Sequence, residues 1–112
     1  MEDSDKLLLN IKTKQTGAFR ILIEALKEIL TEANFVFDET GIKLMAMDSN
    51  KSILIHMKLP SANFEYYNCP EKVVVGVNML NMFKLIKTMT NSEVLTLFVE
   101  KNNENKLGII ME

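Results

Sequence analysis

Four basic residues are spaced so that they could stand in pairs on helical surfaces. Arg20 and Lys27 lie about two helical turns apart, and Lys84 and Lys87 lie about one turn apart. Cations grouped in this way attract phosphate groups through charge alone and do not read a base sequence. On spacing alone an ordinary solvated helix face is the commoner arrangement, so the elements that carry these residues decide between the two interpretations.

Side chains that could catalyse a reaction are few. His56 is the only histidine and Cys69 the only cysteine, so neither a zinc site nor a Cys–His couple has support. The four glycines stand singly, which argues against a glycine-rich phosphate loop. We therefore expect no catalytic residue, no metal and no cofactor. His56 is interpreted as a strand residue on the wetter face, and Cys69 as a core thiol.

The composition limits how the chain could contact nucleic acid. Its 112 residues are 47% hydrophobic and carry a formal net charge of -2, which is typical of one globular domain with a core. A chain with this net charge does not bind nucleic acid over its whole surface, so any contact requires a local basic surface. It also has no apolar run of about 18 residues, so we expect no membrane contact.

Hydrophobic spacing predicts strands and two helices. Residues 7–13 alternate with a period of two, as in a strand with one buried face. Apolar residues in 17–32 recur at steps of three and four, which predicts an amphipathic helix that carries the first basic pair. A second helix is predicted over about 79–89, with Asn78 as its N-terminal cap and the second basic pair on its polar face.

Further strands are predicted between turns and chain breakers. The expected strands lie at 35–37, 42–46, 53–59, 64–67, 72–77, 94–99 and 107–111. The pattern indicates an α+β fold, with an antiparallel β-sheet and two α-helices packed on one face. If both helices pack on the same side of the sheet, the four cations share one outward surface.

Several segments resemble, in order, the proliferating cell nuclear antigen family of DNA sliding clamps. Residues 41–49 are similar to the family's strand and Met-Asp-Ser turn, and 75–87 to its Gly-Val-Asn strand and second helix. Residues 22–27 resemble its first helix, and 67–69 its Tyr-x-Cys step. The likeness runs in one register over 9–112, and several motifs in order are more specific than any one of them.

This resemblance implies a DNA-clamp fold and a subunit of a three-membered ring closed around duplex DNA. Residues 9–112 would be the N-terminal clamp domain, and 1–8 an acidic N-terminal extension with the start of the first strand. A second clamp domain would be absent from this chain. We expect a homotrimer when full length. Its location would be the nucleus if cellular, and the host nucleus or a viral replication site if viral.

The resemblance also assigns candidate site residues and partners. The positions that match family residues facing the DNA backbone are Arg20, Lys27, Lys84 and Lys87. The positions that match the outer hydrophobic docking pocket are Met47 and Leu54, beside Lys51, where family members often have histidine. The implied partners are double-stranded DNA bound without sequence preference, DNA polymerase and other clamp-binding replication or repair proteins, and a clamp loader.

Two other classes of protein remain alternatives. A stand-alone nucleic-acid-binding or protein-interaction module would use exposed aromatic rings as stacking platforms. The chain has six phenylalanines, two tyrosines and no tryptophan, and most of them fall at predicted core positions. A small enzyme would need a convergent site, which the sequence does not contain.

Overall fold

The computed structural model describes residues 6–48, 50–88 and 94–112. The strands in this part of the chain are β1 Leu7–Thr13, β2 Glu32–Asp38, β3 Gly41–Met47, β4 Leu54–Pro60, β5 Tyr66–Asn68, β6 Val73–Asn78, β7 Leu95–Glu100 and β8 Gly108–Met111. The helices are α1 Thr16–Lys27 and α2 Met79–Ile86, and a 3-10 turn spans Ser61–Asn63.

The strands form two antiparallel sheets of four strands each. The first sheet has the order β5-β1-β7-β8 and the second the order β4-β3-β2-β6. Hairpins join β2 to β3, β3 to β4 and β7 to β8, whereas β1 and β6 pair with strands distant in sequence. The predicted α+β class, with antiparallel strands and two helices, is confirmed. The periodicity of the sequence did not predict that the strands divide into two sheets.

Both helices bury an apolar stripe in a core that the two sheets share. The buried residues of these stripes are Phe19, Ile23 and Leu26 in α1 and Met79, Met82 and Ile86 in α2. Against the second sheet, α1 leaves a cavity of only about 10 Å³, which Phe19 and Leu44 line together. The two helices also contact each other. Close packing of this kind fixes which residues of each helix point outward.

The first helix ends earlier than its apolar spacing predicted. The expected range was 17–32, but α1 ends at Lys27. Leu30 is still buried, so the pattern of burial continues after the helix has stopped. From Glu32 the chain is in β2, where Glu32 lies opposite Asn78 of β6. Long-range strand pairing therefore overrides the local helical pattern here.

The second helix begins where the sequence predicted. The side chain of Asn78 accepts a hydrogen bond from the Asn81 N–H at 3.0 Å, which confirms its role as the cap. The prediction of 79–89 was too long, because α2 ends at Ile86. Position 89 lies outside the described residues.

Asp38 organises the turn between β2 and β3. Its Oδ1 accepts hydrogen bonds from the backbone N–H groups of Thr40 at 2.9 Å and Gly41 at 3.2 Å, and Lys43 Nζ lies 3.3 Å from Oδ2. The Thr40 hydroxyl is the largest of the interactions that lower the pKa of Asp38 to about 2. The Tyr67 hydroxyl, from the first sheet, donates to the Asp38 carbonyl at 2.5 Å. This bond ties the two sheets together at the turn.

We predict that Gly41→Ala destabilises the fold by about 1–3 kcal/mol. Gly41 has a φ of +148°, and a Cβ there would overlap the carbonyl oxygen of Leu59. Gly17→Ala is the matched control, because an added Cβ in α1 meets nothing within 4 Å. We expect this control to stabilise by roughly 0.5–1 kcal/mol, since alanine favours a helix over glycine. Urea unfolding measures both, and equal effects would contradict the strain at Gly41.

Candidate nucleic-acid interface and docking surface

The four candidate DNA-facing cations lie in or directly after the two helices. Lys84 and Lys87 are exposed, and Arg20 and Lys27 are half-buried. Arg20 and Lys27 belong to α1 and Lys84 to α2, whereas Lys87 is the C-cap of α2 because that helix ends earlier than predicted. None of the four is a buried residue of the core, and their binding of DNA stays a prediction.

The Phe83 ring lies close to two of these cations. Lys27 Nζ, from the end of α1, lies 4.8 Å from the centroid of the Phe83 ring, and Lys87 Nζ, from the C-cap of α2, lies 6.0 Å from it. Both distances are within the range of a cation–π interaction. Lys27 and Lys87 are thus neighbours of one aromatic ring.

Lys27 is partly neutralised by a neighbour that the sequence did not single out. Its Nζ lies 2.6 Å from Oε2 of Glu28, and this hydrogen bond and charge hold the pKa of the Glu28 carboxyl below its usual value. Glu24 lies one turn from both Arg20 and Lys27, but among the described residues it forms no ion pair within 4.0 Å.

The ion pair lies at the end of the first helix. Lys27 is the last residue of α1, and Glu28 is its C-cap and still has a helical backbone conformation. Adjacent side chains usually diverge on a helix surface, so helical spacing did not predict this pair. The signal in the sequence was that Lys27 and Glu28 are adjacent and oppositely charged.

The candidate docking residues form the last rung of the β3–β4 hairpin. Met47 lies directly opposite Leu54, and their side chains are 56% and 66% exposed. Alternation along the strands puts the next outward pair, Met45 and His56, on the same face. Met45 is also exposed. It was missed from the sequence, although its position two residues before Met47 was a sufficient signal.

A carboxylate holds the turn beside this apolar rung. Oδ1 of Asp48 accepts hydrogen bonds from the backbone N–H groups of Ser52 and Ile53, each at 2.9 Å. The Ile53 N–H contributes most to a lowered pKa of Asp48. Lys51, the third candidate docking residue, is exposed and has a left-handed φ of 61°. Its N–H donates to the Asp48 carbonyl at 2.9 Å.

Cys69 and His56, the two residues considered for catalysis, have different surroundings. Cys69 is buried, and burial, with a smaller effect of the Asp38 charge, raises the pKa of its thiol to about 11. A thiol with that pKa is protonated and unreactive near neutral pH. His56 is exposed on β4, as predicted. In the described ranges, no three His, Cys, Asp or Glu side chains converge as they would around a metal ion. No helix there is long and apolar enough to cross a bilayer.

Comparison with known proteins identifies the family. The family described as "Proliferating cell nuclear antigen, N-terminal domain" matches residues 8–112. The chain belongs to the proliferating cell nuclear antigen family. The resemblance read from the sequence motifs is thereby confirmed.

Relatives and solved structures agree with this family assignment. A protein of Paramecium bursaria Chlorella virus 1, named "Probable DNA polymerase sliding clamp 1", is 36% identical over 110 residues, which are 98% of this chain and 42% of that protein. The proliferating cell nuclear antigen of Entamoeba histolytica has the same fold, with a TM-score of 0.83 and 24% identity over 95% of this chain and 46% of its own.

A second solved structure, a PCNA2-PCNA3 complex from Sulfolobus tokodaii, is similar over 92% of this chain and 41% of its own. Its TM-score is 0.84, and it is 25% identical in sequence. The chain thus spans less than half the length of each of these three proteins.

We predict that the β3–β4 turn loosens in acid. Because the pKa of Asp48 is lowered in the folded chain, its stabilising effect is present above the ordinary value of 3.8 and is lost as the pH falls through the folded value. NMR titration should show the Ser52 and Ile53 amide resonances moving with a midpoint below 3.8. Asp48→Asn is the control and should abolish this titration. A midpoint at or above 3.8 would contradict the carboxylate's role.

Proposed function

We propose that this domain is part of a ring-shaped DNA sliding clamp, a processivity factor that encircles duplex DNA and tethers replication and repair proteins. The observation that supports this most is the contact between α1 and α2, where Lys27 and Lys87 lie near the same Phe83 ring. We infer that Arg20 and Lys84 belong to the same basic surface. A chain of net charge -2 that concentrates cations there can attract phosphate locally while its other surfaces stay free of DNA.

The proposed role is binding, with no catalytic step. Its ligand is double-stranded DNA, held through backbone phosphates and without sequence preference. Family membership and the viral relative's name, "Probable DNA polymerase sliding clamp 1", support a DNA polymerase as one partner. We further propose a homotrimeric ring, a clamp loader that opens it, and a location in the nucleus or at a viral replication site.

The proposed docking surface for polymerases and other replication proteins is the rung of Met47 and Leu54 with the adjacent Lys51. Two large apolar side chains that are more than half exposed are suited to receive apolar side chains from a short peptide motif. The hydrogen bonds from Ser52 and Ile53 to Asp48 restrain the backbone beside this rung, which lowers the entropy lost when a partner binds.

We predict that replacing both Lys84 and Lys87 with glutamate weakens DNA binding equally for all DNA sequences. Both side chains are exposed and neither forms an ion pair among the described residues, so their full charge is available to phosphate. The slope of log affinity against log salt should flatten by about 0.9 for each phosphate that the protein no longer neutralises. Direct binding of duplex DNA at several salt concentrations measures this, together with polymerase processivity on primed circular templates using the assembled ring.

A charge-matched control separates a local surface from a general effect of charge. Lys72 and Lys101 are also exposed, and neither belongs to a helix or to the β3–β4 hairpin. Replacing both with glutamate changes the net charge by the same amount and should leave processivity unchanged. Neither double variant should alter the free energy of unfolding by more than about 0.5 kcal/mol. An unaltered salt slope in the Lys84 and Lys87 variant would refute the proposed DNA-facing surface.

We predict that Met47→Ala or Leu54→Ala lowers affinity for clamp-binding peptides by about 1–3 kcal/mol without unfolding the domain. Both side chains are exposed, so truncation opens no cavity in the core. Val74 is the matched control, because it is an exposed apolar residue on the same sheet but on β6, the opposite edge strand. Calorimetry with a polymerase-derived peptide is the measurement. Equal peptide affinity of the wild type and both variants would refute the proposed docking surface.

A further inference from the structure

Phe83 of α2 is half-buried, whereas its neighbours Met79, Met82 and Ile86 are buried. Two ammonium groups lie near its ring, Lys27 Nζ at 4.8 Å and Lys87 Nζ at 6.0 Å from the centroid. Packing against the core explains the buried part of this side chain, but it does not explain why cations from two elements both lie near the ring.

The ring restricts two side chains that would otherwise be mobile. A solvated lysine has four rotatable bonds, and fixing its ammonium at a phosphate costs conformational entropy. The negative face of an aromatic ring attracts an ammonium and limits that freedom before any ligand arrives. Lys27 is already held, since its side chain is only 19% exposed.

We propose that Phe83 is a positioning residue that gathers Lys27 and Lys87 into one site for a single backbone phosphate, spanning α1 and α2, and that the Glu28 carboxylate competes with phosphate for Lys27. This proposal rests on the DNA-facing role proposed above. It adds which two cations act together, which residue holds them, and which residue opposes them.

The charges of the group fit this arrangement. Two ammonium groups next to one carboxylate leave a net single positive charge, enough to attract one phosphodiester. Glu28 forms its ion pair through a side chain that is 68% exposed, so it can turn into solvent when phosphate takes its place. Lys27 would then exchange one anionic partner for another and keep its contact with the ring.

The test compares variants of the whole 112-residue chain in binding a duplex DNA oligonucleotide at low salt, followed by fluorescence anisotropy. Phe83→Leu keeps an apolar side chain but removes the ring, and we expect a loss in affinity of about two- to fivefold. Phe83→Tyr keeps the ring and should bind as the wild type does. Glu28→Gln removes the competitor and should strengthen binding by about two- to fivefold.

Glu24→Gln is the matched control for Glu28→Gln. It removes the same charge from an exposed position of the same helix, where no ion pair with Lys27 exists. If charge alone mattered, the two variants would strengthen binding equally, and that result would overturn the role of Glu28. A larger gain for Glu28→Gln supports it.

A second readout separates positioning from a purely structural effect. Ring currents should shift the side-chain methylene protons of Lys27 and Lys87 in NMR spectra of the wild type, and these shifts should be absent from spectra of Phe83→Leu. Phe83→Leu that binds DNA like the wild type, while the Lys84 and Lys87 double variant binds weakly, would overturn this inference and leave the proposed clamp surface intact. If Phe83→Leu and the Lys84 and Lys87 double variant both bind DNA like the wild type, the proposed DNA-facing surface itself is wrong. If Phe83→Leu does not melt cooperatively, the comparison of Glu28→Gln with Glu24→Gln decides.

Discussion

The cationic surface depends on one constraint, namely that each helix has a single apolar stripe to bury. Met82 and Ile86 of α2, like Ile23 and Leu26 of α1, are removed from water in the core between the sheets. Burial of these side chains provides most of the free energy that holds the helices in place. The basic residues contribute little to stability, yet the burial of their neighbours determines where they stand.

The docking surface depends on a different regularity. From Ile42 to Met47 in β3 and from Leu54 to Leu59 in β4, inward residues contribute to the core and outward residues meet solvent. Strand register therefore sets Met47 opposite Leu54. The two candidate surfaces therefore belong to separate physical systems, helix packing and sheet pairing. Substitutions in one are expected to leave the other unaffected, because the two surfaces lie on different elements.

The sequence alone predicted the features that depend on local periodicity. It did not predict those that depend on contacts with residues far away in the chain. The start of α2 at its Asn78 cap and the exposed strand position of His56 followed from local rules. The early end of α1 did not, because pairing of β2 with β6 sets it. For the same reason the contact of Lys27 with the Phe83 ring could not be read from the chain, because it forms only when α1 and α2 pack together. The Lys27–Glu28 ion pair joins adjacent residues, and its formation depends on side-chain conformations that periodicity does not set.

Lys51 shows that a residue can be unfavourable for the fold and still suit its position. A left-handed backbone at a non-glycine residue costs on the order of 1 kcal/mol, and Lys51 carries that penalty at an exposed turn. Glycine at this position would relax the backbone, but it would also remove a positive charge that stands next to the apolar rung. Under the proposed docking role, stability and partner binding therefore favour different residues at this position.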